Sequence, residues 1–319
     1  MPGHAEVNDI HPTSLDGLVG QRAAVEQVRV ALDAARHDAA TFPSALLTGS
    51  PGLGKSQLAR CIAAEMGTEF TEILGQAIRE PSDLNAVLLA ATPRAVVHVD
   101  EAHELDREFQ TALYLALDRR KVLLSTRSNR GPQAIPLADF TILLSTTDEY
   151  RLLQPLRDRM RLSLRLDFYG EADLAEVARR RADALGWTMD ASVLPEIARR
   201  ARGTPRIALR LLQACRRVCR AEGEERITGD HLRRACDLEG TDAIGLGPTD
   251  RQYLVVLSES ASRLNVVASR LGLPTRTVAE VIEPFLIRAG LMAKDDQGRR
   301  GLTAEGRQHL LAQCSPEAV

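Results

Sequence analysis

No apolar stretch among these 319 residues approaches the roughly 18 consecutive residues that a membrane-spanning helix needs. The opening stretch, MPGHAEVNDIHPTSL, is polar and lacks the basic-then-apolar pattern of a secretory leader. A surplus of charge of either sign is missing too: 41 Lys and Arg stand against 43 Asp and Glu, a formal net charge of −2. The sum gives no sign of a strongly basic nucleic-acid binder, although local patches weigh more than the total. Cysteines are few, scattered and odd in number: Cys61, Cys215, Cys219, Cys236 and Cys314. Cys215 and Cys219 lie one helical turn apart with no second pair at metal-binding spacing. The expectation is ordinary reduced thiols in a cytoplasmic protein. Internal repeats and low-complexity tracts are also lacking.

What is present supports real cores, with 44% apolar residues, and a length that suits two or three domains. Residues 15–168 alternate helical patterns with short apolar strands, which predicts a parallel α/β sheet. Strands are expected at Pro43 to Thr48, Ala95 to Val99 and Phe140 to Ser145. Gly170 to Gly240 is almost all helical pattern, punctuated at Gly186-Trp187, Arg202-Gly203-Thr204-Pro205 and Ile227-Thr228-Gly229-Asp230. Gly245 to Pro248 reads as a hinge, and a last unit of about 70 residues, near the lower limit for an independent domain, follows it. The expected domains are therefore 14–169, 170–244 and 247–312.

Gly49-Ser50-Pro51-Gly52-Leu53-Gly54-Lys55-Ser56 fits G-x-x-x-x-G-K-[ST], the loop that cradles a nucleotide triphosphate. A strand precedes it, and Gln57 to Met66 reads as a helix. The glycines let backbone N–H groups close on phosphates, and the helix N-terminus adds a favourable dipole. Lys55 is expected to reach the outer phosphates and Ser56 to ligate Mg²⁺. Ala95 to Glu101 is an apolar strand that ends in two acids. Behind a phosphate loop, Asp100 suits the Mg²⁺ shell and Glu101 suits orientation of an attacking water. Acids in that place can also be helix caps, since His103 to Ala116 reads as a helix. Ser145-Thr146-Thr147 puts hydroxyls at the end of a third strand, where they serve as a turn or reach a ligand at the sheet's carboxyl edge. Arg157 and Arg159 flank Asp158 as either a solvated charge cluster or a finger for a neighbouring subunit. Arg206 opens a helix and is either a surface ion-pair partner or a reporter of nucleotide state.

Together these residues resemble the AAA+ ATPases and, more narrowly, the RuvB family, hexameric motors that drive Holliday-junction branch migration. The runs that carry the resemblance are Pro51-Gly52-Leu53-Gly54-Lys55, Pro155-Leu156-Arg157-Asp158-Arg159, Leu164 to Tyr169, Ala198 to Ala208 and Glu283-Pro284-Phe285-Leu286-Ile287. It extends from about Leu15 to Leu310. The resemblance implies an α/β AAA+ P-loop domain, a small all-α lid and a C-terminal winged helix. It implies ATP and Mg²⁺ as cofactors, with Gly49, Gly52, Leu53, Gly54, Lys55, Ser56 and Gln57 on the nucleotide and Ser56 and Asp100 on the metal. Glu101, Thr147, Arg159 and Arg206 become the Walker B glutamate, the γ-phosphate sensor, the trans-acting finger and the lid sensor. Leu18, Val19, Tyr169 and Pro205 fall where the family encloses adenine. A finger in trans implies a head-to-tail interface that closes into a ring, a hexamer in this family.

In the winged helix, Asp250 to Glu259 and Val266 to Leu271 are expected as the first two helices. The third begins near a capping box at Thr277 and Glu280, with Pro284 kinking or ending its regular part. Leu291 to Lys294 and Arg299 to Thr303 are expected as wing strands. Arg276, Lys294, Arg299 and Arg300 are the candidate DNA contacts.

Four departures from the family bear on partners. His11-Pro12 and Leu15 to Gly20 lack an arginine and an aromatic that the family has near the nucleotide. Glu104 and Asp148 reverse charges beside the motor site. The hairpin that docks on the family's partner, RuvA, reads here as Lys121 to Pro132, with Val122, Leu123, Leu124, Arg127 and Arg130 as contact candidates. It is shorter, with a polar, basic tip near Ser128-Asn129 that suits an apolar socket poorly. The wing turn carries Asp295 and Asp296. From Gly247 to Val319 nine Lys/Arg face eight Asp/Glu, a net charge of +1. DNA affinity is expected to be modest and steeply salt-dependent. Three functions follow in order: a junction motor, a related ATPase with another DNA-processing or protein-remodelling client, and a nucleotide-dependent scaffold that does not hydrolyse.

Overall fold

The protein is described from a computed structural model, over residues 11–124 and 133–314. It divides into two units, residues 1–185 with Gly203–Arg206, and Gly186–Arg202 with the chain from Ile207 onward.

The first unit is built on β1 (Ala45–Thr48), β2 (Phe70–Leu74), β3 (Val96–Asp100), β6 (Thr141–Thr146) and β7 (Leu162–Arg165). They form one parallel sheet in the order β2-β3-β6-β1-β7. The central strands are almost continuously apolar because both faces are covered, as parallel sheets require. Alternation then assigns each face. Ala45, Leu47, Val96 and Leu143 pack with α1 (Arg22–His37) and α2 (Lys55–Met66). Leu46, Val97, Val99, Ile142 and Leu144 pack with α3 (Pro81–Ala90), α4 (Arg107–Arg119) and α5 (Gln154–Arg157). The period of two puts His98, Asp100 and Ser145 on the α2 side.

Several boundaries differ from the expected ones. The helix after the phosphate loop starts at Lys55, two residues early, because Gly54 turns the chain into it at φ 102°. The expected helix from His103 is interrupted: Ala102–Glu104 is a 3₁₀ turn, and α4 starts only at Arg107. The hairpin pairs β4 (Lys121–Leu124) with β5 (Gln133–Pro136), so its return strand lies beyond Pro132. Its tip, with Arg127, Arg130 and the expected turn at Ser128-Asn129, lies outside the described residues. Val122 is a core side chain packed with the α4 cluster and is removed from the docking candidates; Leu124 is half-buried and Leu123 exposed. The unit ends with α6 (Glu171–Ala184).

The second unit holds β8 (Thr188–Met189), α7 (Val193–Arg200), α8 (Pro205–Ala221, from Ile207), β9 (Arg226–Ile227) and α9 (Gly229–Glu239). The two short strands pair in parallel. Then follow α10 (Pro248–Glu259), α11 (Leu264–Leu271), a single turn α12 (Thr275–Thr277), α13 (Glu283–Arg288), the wing strands β10 (Met292–Lys294) and β11 (Arg300–Leu302), and α14 (Ala304–Cys314). The expected capping box is not formed. Thr277 is itself helical, the turn starts after Pro274, and Glu280 instead pairs with Arg276 at 2.9 Å. Between α12 and α13 the chain makes a π-helical turn over Val278–Ile282. That widening comes just before Pro284, whose ring and missing N–H a regular helix interior would not tolerate. Pro284 therefore sits in the first turn of α13 and the helix continues through it. Cys61, Cys215, Cys219 and Cys236 are buried free thiols, and burial pushes Cys61 up to about 11. Among the described residues no helix is long and apolar enough to cross a membrane.

Candidate nucleotide-binding site

The carboxyl edge of the sheet gathers the predicted residues of the first unit. Gly49, Gly52 and Gly54 all have positive φ, at 145°, 79° and 102°. A side chain at Gly49 would come within 2.5 Å of the Leu166 carbonyl oxygen. One at Gly52 would come within 2.8 Å of Arg206 Cβ. The loop is thus a bare-backbone cradle leading into the first turn of α2, whose N–H groups have no intrahelical partner. Lys55 Nζ donates to the carbonyls of Gly49 at 2.8 Å and Ser50 at 3.2 Å. Burial lowers the Lys55 pKa, opposed by the negative charges of Glu101 and Asp100. A desolvated ammonium in a glycine cradle suits polyanionic phosphate. The buried Gln57 Oε1 has no hydrogen-bond partner among the described residues.

At the end of β3, Asp100 Oδ2 accepts from the Ser56 hydroxyl at 3.1 Å. Its other oxygen, Oδ1, accepts from Ser145 and from the Glu101 backbone N–H at 3.0 Å. Burial works against the charged carboxylate. The hydrogen bonds from Ser145, Ser56 and Glu101, with the nearby His98, outweigh it and hold the Asp100 pKa below its ordinary value. A hydroxyl and an ionised carboxylate at hydrogen-bond distance are hard oxygen donors, the set that Mg²⁺ takes beside phosphate. The residues fit both ATP and Mg²⁺.

Glu101 adopts the left-handed conformation, φ 50°. Gly75 leaves room for it: a Cβ there would come within 2.5 Å of the Glu101 carbonyl oxygen. The Glu101 carboxylate accepts from Thr147 at 3.4 Å and lies 3.3 Å from His103 Nδ1. The buried His103 also contacts Thr146 Oγ1 at 3.0 Å and Glu104 at 3.1 Å. Thr147 and Glu101, distant in sequence, are therefore neighbours.

Tyr169 ties the remaining segments together. Its hydroxyl donates to the Leu53 carbonyl at 3.3 Å, its N–H donates to Gly203, and its ring lies against Gly20. Leu18 and Val19 precede that glycine, and Pro205 and Arg206 follow Gly203. The Arg206 backbone N–H meets the Gly52 carbonyl at 3.4 Å, so this arginine starts its helix against the phosphate loop. Arg159 stands elsewhere. Among the described residues its partners are Asp118 at 3.3 Å, the Pro155 carbonyl at 2.9 Å and the face of Tyr114, none of them in the loop.

The four candidate DNA-contact cations are each engaged by a carboxylate. Arg276 pairs with Glu280 and Arg299 with Asp295. Lys294 Nζ lies 2.7 Å and Arg300 Nε 2.8 Å from Glu283, whose side chain is 0% exposed. Tyr253 donates to the same carboxylate at 3.0 Å. Arg300, 12% exposed, faces inward and holds the wing; it is not presented to solvent as a phosphate contact.

The sequence marks Ser145 only as one of three strand-end hydroxyls and gives no role to His98 or Glu72. His98 is fully buried, with Nε2 2.9 Å from Ser145 Oγ and Nδ1 3.1 Å from Glu72 Oε1. A histidine interrupting an apolar strand two residues before Asp100 was the available signal.

This fold and site define a P-loop ATPase of the AAA+ class with a lid and a winged helix. Three family models match in order: the Holliday junction DNA helicase RuvB P-loop domain over residues 10–166, the RuvB AAA lid domain over 169–242, and the RuvB C-terminal winged helix domain over 243–311. The chain belongs to the RuvB family. It is 37% identical over 301 residues to the Holliday junction branch migration complex subunit RuvB of Anaeromyxobacter sp. (strain K), covering 92% of this chain and 88% of that one. It is also 37% identical over 317 residues to the subunit of the same name from Mycobacterium avium (strain 104), covering 97% and 90%. The solved Thermotoga maritima RuvB Holliday junction branch migration motor superposes with a TM-score of 0.82 at 31% identity, covering 94% of this chain and 98% of that one.

Proposed function

We propose that this chain is an ATP-driven motor that moves duplex DNA at four-way junctions in recombination and repair, acting in the cytoplasm. Residues 14–169 form its ATPase domain, 170–244 its lid and 247–312 its winged helix. The observation that carries the reading is the convergence of Ser56, Asp100, Glu101 and Thr147 beside a glycine cradle closed by Arg206.

Phosphoryl transfer asks little covalent help of a protein; it asks for positioning and charge. Lys55 and the N–H groups of Gly52 to Gln57 hold the phosphates. Ser56 and Asp100 would hold Mg²⁺, which would supply Lewis-acid charge. Glu101 orients water, and its contact with Thr147 links it to the outer phosphate position. Leu18, Val19, Tyr169 and Pro205 enclose the base. Arg206 reads the phosphates from the lid side. Arg159, which has no partner in its own loop, serves the next subunit of a homo-oligomeric ring, a hexamer by family. Leu123, with the hairpin tip, meets a RuvA-like junction-binding protein, and Lys294, Arg299 and Arg276 are the DNA contacts.

The test is ATP hydrolysis with and without four-way-junction DNA at low and high salt. Stimulation that fades with salt is expected. No stimulation at any salt would remove the junction from the proposal. A second reading keeps the ATPase and changes its client. It is favoured by Arg276, Lys294, Arg299 and Arg300, each of which already sits on a carboxylate. Stimulation by another DNA form, or by none, would select it.

A further inference from the structure

Beneath the nucleotide cradle, six side chains form a closed ring of contacts. Ser56 donates to Asp100 Oδ2. Ser145 donates to Asp100 Oδ1. His98 Nε2 lies 2.9 Å from Ser145 Oγ, and His98 Nδ1 lies 3.1 Å from Glu72. Arg60 closes the ring on Glu72. Ser56 and Arg60 are four residues apart on α2, one turn along the same helix face. The ring therefore leaves the phosphate-loop helix at Ser56, crosses β3, β6 and β2, and returns to the same helix at Arg60.

The donor inventory gives the ring a direction. A serine hydroxyl has one proton, and that of Ser145 is committed to Asp100. Nε2 of His98 must then donate to Ser145 Oγ. The ring nitrogen on the other side faces the Glu72 carboxylate, whose negative charge Arg60 partly balances. At Asp100, Oδ1 is occupied twice, by Ser145 and by the Glu101 N–H. Only Oδ2, beside the Ser56 hydroxyl, is left for a metal. His98 stacks on Phe70 at 5.9 Å between centroids, and Arg60 lies over the same phenyl ring at 5.1 Å. The imidazole is fully buried and both of its nitrogens are engaged.

We propose that Ser145 and His98 are positioning residues for the metal: they fix the Asp100 carboxylate with Oδ2 toward Ser56 and tie that orientation to the phosphate-loop helix through Glu72 and Arg60. This rests on the assignment of Ser56 and Asp100 as the Mg²⁺ donors. Residues that orient metal ligands change metal affinity while the ligands themselves remain.

The experiment measures Mn²⁺ binding to the full-length protein by electron paramagnetic resonance, in the presence of saturating ADP. ADP binding in EDTA and the thermal midpoint are recorded beside it. Ser145→Ala is expected to weaken Mn²⁺ by about tenfold, a typical cost of losing an outer-shell partner, with metal-free ADP binding unchanged. His98→Phe, which keeps a stacking ring but loses the donor, is expected to shift Mn²⁺ affinity in the same direction. His98→Gln, whose amide can still donate to Ser145, should restore part of it. The Ser145→Ala/His98→Phe double variant should bind Mn²⁺ no worse than Ser145→Ala alone, because both changes cut one chain of contacts. Wild-type Mn²⁺ affinity in Ser145→Ala would overturn the proposal. So would additive losses in the double variant, or an equal loss of metal-free ADP binding. If the unsubstituted protein shows no ADP-dependent Mn²⁺ site, the metal assignment itself fails and takes this one with it.

Discussion

The Ser56 hydroxyl lies 3.1 Å from Asp100 Oδ2, joining the first turn of the phosphate-loop helix to the end of the neighbouring acidic strand. Glu101 is the next residue along, and its backbone is held at φ 50°. Gly75 makes space for the Glu101 backbone carbonyl, and the Glu101 carboxylate faces Thr147 and His103. Glu101 and Asp100, the proposed water-orienting and metal-holding groups, therefore belong to one short turn.

Glu101→Gln should separate binding from turnover. The amide keeps the size of the side chain and the contact to Thr147 but loses the anionic acceptor that orients water. We expect hydrolysis to fall by about 10²–10⁴-fold, the usual range for a lost general base. ATP affinity, measured by equilibrium binding, should stay near the parent value. Hydrolysis that survives the substitution would take Glu101 out of the chemistry.

Arg159 gives the test of a shared site. Its guanidinium rests on Asp118, Pro155 and Tyr114, at 33% exposure, and makes no contact with its own phosphate loop among the described residues. As the proposed finger, it would serve the site of a neighbouring subunit. Arg159→Ala and Lys55→Ala should each abolish turnover in uniform assemblies. Mixed assemblies should recover part of it, since some interfaces pair an intact loop with an intact finger. Mixtures that stay as inactive as the separate variants would remove the finger role.

The phosphate loop, the acidic strand end and the run of hydroxyls were all legible in the sequence, because each is local: spacing, apolar run and terminal polar residue lie within a few positions. The sheet followed from the same runs, since strands buried on both faces have to be apolar throughout. The ring behind Asp100 was not legible. Its links join residues 44, 45, 47 and 26 positions apart, and only the register of three strands brings them together. The start of the third winged-helix segment was misplaced for a different reason. Thr277 and Glu280 have the spacing of a capping box, but Pro274 starts the helix earlier, and a π turn accommodates Pro284. The DNA candidates are basic residues of the third helix and the wing, and neither charge nor place in the chain says which way a side chain points.

That last distinction can be measured. Arg300 is almost buried against the fully buried Glu283, while Arg299 is half exposed and paired only with Asp295. Arg300→Ala leaves Glu283 with Lys294 and Tyr253 alone, and should cost about 3 kcal/mol of stability, as loss of one partner of a buried pair does. Arg299→Ala should leave the melting temperature unchanged and weaken DNA binding at low salt. Acidification reports on the same cluster. Burial would raise the Glu283 pKa, but Arg300, Lys294 and Tyr253 more than offset it, and the folded-state value lies below the ordinary 4.5. The unfolded chain then binds the proton more readily. The stability contributed by Glu283 is fully present above pH 4.5 and is lost as pH falls toward the depressed folded value. Thermal melts of the full-length protein from neutral to acid pH should show this loss, and Glu283→Gln should lower the melting temperature at neutral pH and flatten its acid dependence. A Glu283→Gln melt that follows the parent curve at every pH would mean that the buried carboxylate does not hold the wing, and would return Arg300 to the set of DNA contacts.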